Sequence, residues 1–249
     1  MPRYAVLSDV HANLEALEAV LQDSAAQGTD GLVHLGDLVG YNANPRECLE
    51  LLREKCLRSI QGNHDRGIFD PETAFEFNFY AREALDYSRS RLGEEDIRYL
   101  TTLPPTDLLD DRVLLCHGSP HSVFAYILDY GEARRAFQTL RKEYPAVRLC
   151  LYGHTHIPEV WTLDEKEKLA APSWIEPDLV MRGDRIYLVN PGSVGQPRNG
   201  DPRAAYLVLD TDRGSLNLRL VPYDIASARE KILKADLPAF LATRLDYGI

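Results

Sequence analysis

Most of the histidines and several acidic residues of this chain lie in five short polar clusters, and each cluster follows an apolar run. A carboxylate and an imidazole two residues apart at the end of a strand point to the same side, because side chains alternate along extended backbone. Carboxylates, imidazoles and amides arranged in this way are ligands for divalent metal ions. In chain order the clusters are Asp9-x-His11, Gly36-Asp37, Gly62-Asn63-His64-Asp65, His117-Gly118 and Gly153-His154-x-His156.

The elements that must position these clusters alternate between strands and helices in the first sixty residues. Apolar runs predict strands over 4–7, 31–35 and 57–60, and helical patterns begin at Leu14 and Pro45. This alternation is typical of largely parallel sheets with right-handed crossovers. Sites in such sheets lie at the carboxyl ends of strands, which is where the first three clusters fall.

The rest of the chain continues this pattern and then changes character. The next predicted elements are helices over 73–102 with a new start near Glu94, a strand over 112–116, a helix over 131–143 and a strand over 147–152. Short strands with tight turns then favour antiparallel pairing, at 160–162, 179–181, 185–189, 204–209 and 216–221. We expect an exposed loop or insertion over 164–177 and one or two helices over 225–245. No repeat or linker is visible, so the prediction is one domain over 1–249.

Composition restricts the partners that this chain can have. Its 249 residues carry a formal net charge of −10, which disfavours unspecific binding to nucleic acid or to an anionic membrane. The start has no signal-peptide pattern, and no apolar run approaches the roughly 20 residues that span a bilayer. The 4 cysteines form no C-x-x-C pair. We expect reduced thiols and a cytoplasmic protein with no membrane or stable nucleic-acid partner; both a monomer and a homo-oligomer fit the sequence.

The five clusters in this order resemble the motifs of the calcineurin-like metallophosphoesterase family, which are D-x-H, GD, GNH-D/E, H and GH-x-H. The resemblance runs from residue 5 to about residue 210. Segment Pro191–Arg198 further resembles a segment of the small bacterial phosphodiesterase branch of that family. The resemblance implies an α/β (mixed α+β) fold, a four-layer αββα sandwich whose two mixed sheets carry a dinuclear metal site at strand ends.

The resemblance also implies roles for the residues that match the motifs. One ion would bind Asp9, His11, Asp37 and His156, and the other would bind Asp37, Asn63, His117 and His154, with Asp37 as the bridge. By the same analogy, His64 contacts the phosphoryl oxygen or protonates the leaving group. Protein phosphatases of the family carry an Asp and an Arg where this chain has Gly40 and Tyr41. That difference argues against a phosphoprotein phosphatase and leaves His64 without an identified partner.

The implied donor set indicates both the metal and the reaction. Oxygen and nitrogen ligands without thiolate favour Mn, Fe, Co, Ni or Zn, and we expect Mn²⁺ because the set contains carboxylates and an amide. Two divalent ions exceed the charge of two carboxylates, so the site would attract a phosphate oxygen and acidify a bridging water. We therefore predict hydrolysis of phosphodiester bonds in small, nucleotide-like substrates, with a hydroxide between the two metals as the nucleophile.

Three further residues are candidates for substrate contacts: Asn13, Tyr41 and Arg198. Asn13 also stands at the start of a predicted helix, where capping is the competing role. Arg198 would either fork onto a phosphate or lie on the surface. His34 and His121 are interpreted as structural residues.

Other functions remain open on the same residues. A phosphomonoesterase or a nucleotide pyrophosphatase would use the same metal centre, and only the shape of the pocket would distinguish them. A scaffold that has lost catalysis is a third hypothesis. It is disfavoured because every ligand position is filled and His64 is present.

Overall fold

The computed structural model describes residues 2–173 and 178–249, and their strands form two six-stranded sheets. The first sheet has the order β3-β2-β1-β11-β12-β9. Its strands are β1 (Arg3–Leu7), β2 (Gly31–His34), β3 (Cys56–Ser59), β9 (Leu179–Val180), β11 (Ala204–Asp210) and β12 (Ser215–Val221). The second sheet has the order β4-β5-β6-β10-β7-β8. Its strands are β4 (Thr106–Leu109), β5 (Val113–Cys116), β6 (Leu149–Leu151), β7 (Glu159–Asp164), β8 (Leu169–Ser173) and β10 (Arg185–Asn190).

Both sheets are mixed. In the first, β1, β2 and β3 are parallel while β11 is antiparallel to β1. In the second, β5, β6 and β10 are parallel while β4 and β7 are antiparallel to their neighbours. The parallel strands of each sheet therefore deliver the loops that follow them to one edge, as the sequence predicts.

The helices lie between and after these strands. Those of the first half are α1 (Leu14–Ala26), α2 (Pro45–Lys55), α3 (Asn63–Gly67), α4 (Pro71–Phe75), α5 (Phe79–Arg91) and α6 (Glu94–Thr102). Those of the second half are α7 (Tyr130–Glu143), α8 (Ile225–Lys234), α9 (Ala239–Thr243) and a 3-10 turn (Arg244–Asp246). Among the described residues, no helix has the length and apolar character needed to cross a membrane.

Three apolar clusters separate four layers. Between the sheets, alternate residues such as Val6 and Val33 of the first sheet meet Leu115 and Val189 of the second. Helices α1, α2 and α6 cover the outer face of the first sheet. Helix α7 covers the outer face of the second sheet, with Phe137 in contact with that layer's core. This arrangement confirms the predicted αββα sandwich.

The structure corrects several predicted elements. The predicted loop over 164–177 is wrong for 169–173, where β8 pairs with β7; residues 174–177 lie outside the described residues. Strand β4 was not predicted, because it is a four-residue edge strand containing an acidic residue. The helical region 73–102 has the predicted new start at Glu94, but it has a further break between α4 and α5, since Asn78 begins a new helix. Helix α3 was missed because it is one short turn inside a polar motif.

The cysteines are free thiols in the structure. Cys116 precedes His117 but belongs to the core beneath α7, where its Sγ lies 3.5 Å from that of Cys150. Strand alternation thus turns Cys116 away from the polar edge.

Candidate metal centre

The structure brings the side chains of the five sequence clusters together at the seam between the two sheets. The first sheet contributes the loops after β1 and β2 and the start of α3, and the second contributes the loops after β5 and β6. Three groups of donor atoms lie close enough to hold an ion: Asp9, His11 and His156; His11, Asp37 and His64; Asp37, His117 and His154. The seven predicted metal ligands are all buried.

Asp37 lies between two sets of donors. Its Oδ2 is 3.5 Å from His11 Nε2 on one side and 3.3 Å from His117 Nε2 on the other. His156 Nε2 lies 3.2 Å from His11 Nε2, and Asn63 Oδ1 lies 3.0 Å from His117 Nε2. Two atoms that each bind one ion at about 2.1 Å are roughly 3 Å apart, so these spacings suit ligands around two ions.

The imidazoles are oriented by backbone carbonyls. The Nδ1 atoms of His11, His117 and His156 lie 2.8, 2.8 and 2.6 Å from the carbonyl oxygens of Val39, Leu35 and Gln196, respectively. Donation of Nδ1–H to a carbonyl fixes the ring and the tautomer and leaves the Nε2 lone pair free for a metal. Three of the four predicted histidine ligands therefore have this second partner.

In both Asp9 and Asp37, one carboxylate oxygen accepts hydrogen bonds from the protein. Ser8 Oγ and the amide of His154 donate to Asp9 Oδ2 at 2.6 and 3.1 Å, and the amide of His64 donates to Asp37 Oδ1 at 2.8 Å. The other oxygen of each faces the imidazoles. Asp9 Oδ1 and His154 Nε2 are buried without a hydrogen-bond partner among the described residues. Orphaned donor atoms of this kind fit a pair of divalent cations.

Burial also sets the protonation states. It lowers the pKa of His11 well below its usual value and that of His154 to about 3, so both rings are neutral, as metal ligands must be. For His117 burial acts in the same direction, but the nearby charges of Asp37 and Asp9 outweigh it and raise the pKa to about 10. A cation bound there would take the place of that proton.

Five of the seven predicted ligands sit in an unusual backbone conformation. Asp9, His11, Asp37, His154 and His156 have φ values of 53°, 46°, 60°, 68° and 62°, respectively. A residue other than glycine in this left-handed region costs of order 1 kcal/mol or more, and such residues concentrate at functional sites. The loops therefore hold their ligands at a cost in stability.

His64 is held by rings rather than by a carboxylate. Its ring centroid lies 4.6 Å from those of Tyr41 and Phe77 and 4.8 Å from that of His11. His64 Nδ1 is buried and has no hydrogen-bond partner among the described residues. A Cβ at Gly40, whose φ is +92°, would overlap that nitrogen. Residue 40 thus leaves room for the ring instead of supplying a partner to it.

A pocket of about 240 Å³ opens onto this centre, and its walls combine aromatic and polar groups. Tyr41, Phe77 and Tyr126 supply the aromatic walls, and the Tyr126 ring stacks on that of His154 with centroids 3.8 Å apart. Arg198 also lines the pocket, together with the metal-centre residues.

Of the three candidate substrate contacts, the structure brings Tyr41 and Arg198 to the pocket but places Asn13 elsewhere. Asn13 caps α1 by accepting from the Ala16 amide at 3.2 Å, and its Nδ2 donates to the Gly195 carbonyl at 2.9 Å. It is therefore a structural residue that ties α1 to the loop before Arg198.

Two residues that position the ligands were missed as site residues. Asp65 accepts hydrogen bonds from the amides of Asp37, Leu38 and Gly62, and so joins the second and third clusters. Asn190 donates to the Gly153 carbonyl and to Thr155 Oγ1, which fixes the last cluster. The motif position of Asp65 was a usable signal, whereas Asn190 had none in the sequence.

The two remaining histidines lie outside the centre. His34 Nδ1 is 3.3 Å from Ser59 Oγ and accepts from the Gly36 amide at 3.3 Å. His121 Nε2 lies 3.3 Å from Glu132 Oε2, a partner that the sequence did not indicate. Both have the structural surroundings expected of them.

Comparison with known proteins defines the class. The model of the calcineurin-like phosphoesterase superfamily domain matches residues 3–214, and the chain belongs to this family of phosphoric ester hydrolases. An uncharacterised protein of Methanocaldococcus jannaschii is 35% identical, with 98% of this chain and 97% of that protein covered.

The chain is also similar to a phosphodiesterase and to two proteins of solved structure. Phosphodiesterase YfcE of Escherichia coli K12 is 26% identical, over 85% of this chain and 89% of that protein. A metallophosphoesterase of Sphaerobacter thermophilus is 36% identical, with 100% and 99% of the two chains covered and a TM-score of 0.84. A hypothetical protein of Pyrococcus horikoshii, 23% identical over 100% and 99% of the chains, has the same fold with a TM-score of 0.77.

Proposed function

We propose that this protein hydrolyses phosphodiester bonds of small, nucleotide-like substrates with two divalent metal ions. Asp9, His11, Asp37 and His156 would hold one ion, and Asp37, Asn63, His117 and His154 would hold the other. When bound, the ions would polarise the phosphoryl oxygens and lower the pKa of water at the site. Phosphodiesterase YfcE, a relative over most of the chain, supports the choice of a diester.

The observation that carries the proposal is the position of Asp37 Oδ2. It lies 3.5 Å from His11 Nε2 and 3.3 Å from His117 Nε2, which belong to the two separate donor sets. A carboxylate oxygen shared in this way supports a bridging role. Mn²⁺ is our choice of metal, because the donor set combines carboxylates, imidazoles and an amide without thiolate.

The chain's own residues then orient the substrate and supply a proton. The guanidinium of Arg198 on the pocket wall would bind an anionic group of the substrate. Tyr126 and Phe77 offer apolar faces to a planar group of the substrate. The pocket is small, at about 240 Å³, which suits a compact substrate better than a polymer.

His64 is the proposed general acid. Its ring contacts with Tyr41 and Phe77 keep it at the pocket without drawing it into a hydrogen bond. Protonated, it would give its proton to the leaving oxygen as the ester bond breaks, an effect typically worth 10²–10⁴-fold. A good leaving group such as p-nitrophenolate needs this proton far less than an alkoxide does.

The test replaces His64 by Ala in manganese-loaded protein. We expect a loss of 10²-fold or more in kcat on a diester with an alkoxide leaving group and a much smaller loss on bis-p-nitrophenyl phosphate. Metal content, measured by mass spectrometry, should stay at the wild-type level. Equal losses on both substrates would remove the acid role, and no hydrolysis of either by the wild type would refute the proposed function.

We propose the cytoplasm as the compartment, because the cysteines are free thiols and the net charge of −10 suits neither anionic membranes nor nucleic acids. The partner is then a small phosphoester rather than a macromolecule.

A further inference from the structure

Arg198 lines the pocket, and Arg244, from a distant part of the sequence, lies in a segment that packs near Arg198 and Tyr41. Arg198 donates to Gln196 Oε1 through Nη2 at 2.8 Å, and its Cζ lies 5.7 Å from the centre of the Tyr41 ring. Arg244 follows α9 and packs its guanidinium over Phe240, with Cζ 5.3 Å from that ring centre. Arg244 lies beyond residues 3–214, so the family match implies nothing about it.

The last residues of the chain fix Arg244 near Arg198. The Gly200 amide donates to the Gly248 carbonyl at 2.9 Å, which joins the tail to the loop after Arg198. Arg244 Nε donates to the main-chain oxygen of Ile249. On the other side, Tyr41 shares a buried cluster with Leu245, the neighbour of Arg244. The tail therefore packs beside the two segments that contain Arg198 and Tyr41.

The charges of the two arginines are not neutralised by side chains. Among the described residues, neither guanidinium forms an ion pair with an Asp or Glu, including Glu76 of the pocket wall. Burial and then the charge of Arg198 lower the pKa of Arg244 to about 10, so Arg244 remains cationic at neutral pH. Two partly buried like charges are unfavourable unless an anion binds between them.

We propose that Arg198 and Arg244 together bind a second anionic group of the substrate, a phosphoryl group other than the one that reacts. The inference rests on the proposed function and narrows it to phosphodiesters that carry a further phosphate. Guanidinium groups present paired N–H donors that match phosphate oxygens. Arg244 is then a specificity-determining residue, since it recognises the substrate away from the bond that breaks.

The test compares two substrates that differ only in the second phosphate. These are thymidine 5′-(p-nitrophenyl phosphate) and its 3′-phosphorylated form, assayed with manganese-loaded wild type and Arg244→Gln. For the wild type we expect a KM roughly 10- to 100-fold lower for the 3′-phosphorylated substrate, with similar kcat. In Arg244→Gln that difference should shrink to about twofold, while kcat/KM for the substrate without the second phosphate stays within about twofold of wild type.

Two controls separate recognition from loosening of the tail. Arg229→Gln breaks the ion pair between Arg229 and Asp246, so it loosens the tail while keeping the charge of Arg244. It should retain the full preference, and Arg244→Lys should retain part of it. If Arg244→Gln does not fold, the wild type alone decides: its preference should fall several-fold in 0.5 M salt, because screening weakens charge recognition.

The outcomes are distinguishable. Hydrolysis of both substrates by the wild type with equal KM would overturn the second-anion inference and leave the proposed function intact. The second-anion inference would also be overturned if Arg244→Gln kept the preference for the 3′-phosphorylated substrate. It would be overturned as well if salt did not reduce that preference in the wild type. If neither substrate were hydrolysed by the metal-loaded wild type, the proposed function would fail and the inference with it.

Discussion

At the scale of single residues, the centre depends on backbone conformations that only tight packing maintains. Asp9, Asp37 and His154 adopt positive φ values, yet each also makes a hydrogen bond that defines its direction. Gly40 has a different task, since the absence of its side chain makes room for the His64 ring. The same position shows why this chain cannot orient His64 as the protein phosphatases of the family do.

Gly40→Ala tests whether the His64 ring needs the space that Gly40 leaves for it. The added Cβ would overlap His64 Nδ1, and alanine at φ +92° is itself strained. We expect at least a tenfold loss of kcat with unchanged metal content, and a loss of about 1–3 kcal/mol in the free energy of unfolding. Gly214→Ala is the matched control, because Gly214 also has a positive φ of +59° but nothing within 4 Å. It should lose stability without losing activity; an equal loss of kcat in both variants would contradict the role of Gly40.

At the scale of elements, the strands deliver the ligands and the loops between them are locked to one another. Asp65 links the loop after β2 to the start of α3, and Asn190 at the end of β10 secures the loop after β6. Beside that loop, Tyr152 after β6 donates to Glu159 Oε1 at the start of β7, at 2.7 Å. Glu159 is a buried carboxyl group that the chemistry does not use.

Glu159 makes stability depend on pH. Burial raises its pKa above the usual 4.5, so the folded state holds this proton more tightly than the unfolded chain. The stability that this bound proton gives to the folded state is fully present below pH 4.5, and it is lost as pH rises through the raised pKa. Glu159→Gln keeps an acceptor for Tyr152 and removes the titration. We expect the free energy of unfolding of the variant, relative to wild type, to increase as pH rises above 4.5.

Urea unfolding of metal-free protein at several pH values measures this difference. Both wild type and Glu159→Gln are measured without metal, so that the titration of the histidines contributes equally to both and cancels in the difference. A difference that stays constant across the range, or falls with rising pH, would mean that the fold does not raise the pKa of Glu159.

At the scale of the whole molecule, the centre exists because two sheets present their strand ends at one seam. Asp9, His11, Asp37 and Asn63 follow strands of the first sheet, whereas the other three predicted ligands follow strands of the second. Each sheet alone would carry half a site. The outer helices and the apolar layer between the sheets are therefore as necessary to the site as the ligands themselves.

The αββα fold is predicted from the resemblance of the motifs to the family, and the gathering of the clusters is predicted from their positions at strand ends. Polar motifs at strand ends fall at one edge whatever the details of packing. What the sequence could not predict depends on contacts between distant segments. No local pattern in the sequence indicates the rings that surround His64 or the hydrogen bonds by which Asn190 holds a loop. The same is true of the approach of Arg244 to Arg198. Strand β8 lies in a charged segment, and its pairing with β7 outweighed that composition.

The most direct test of the central claim is a crystal structure of manganese-loaded protein with anomalous scattering data. We predict two anomalous peaks, both in contact with Asp37, one toward His11 and His156 and the other toward His117 and His154. The same crystals of Asp37→Ala should lose at least one peak. A single peak in the wild type, two peaks that do not share Asp37, or full occupancy of both in Asp37→Ala would contradict the two-metal account.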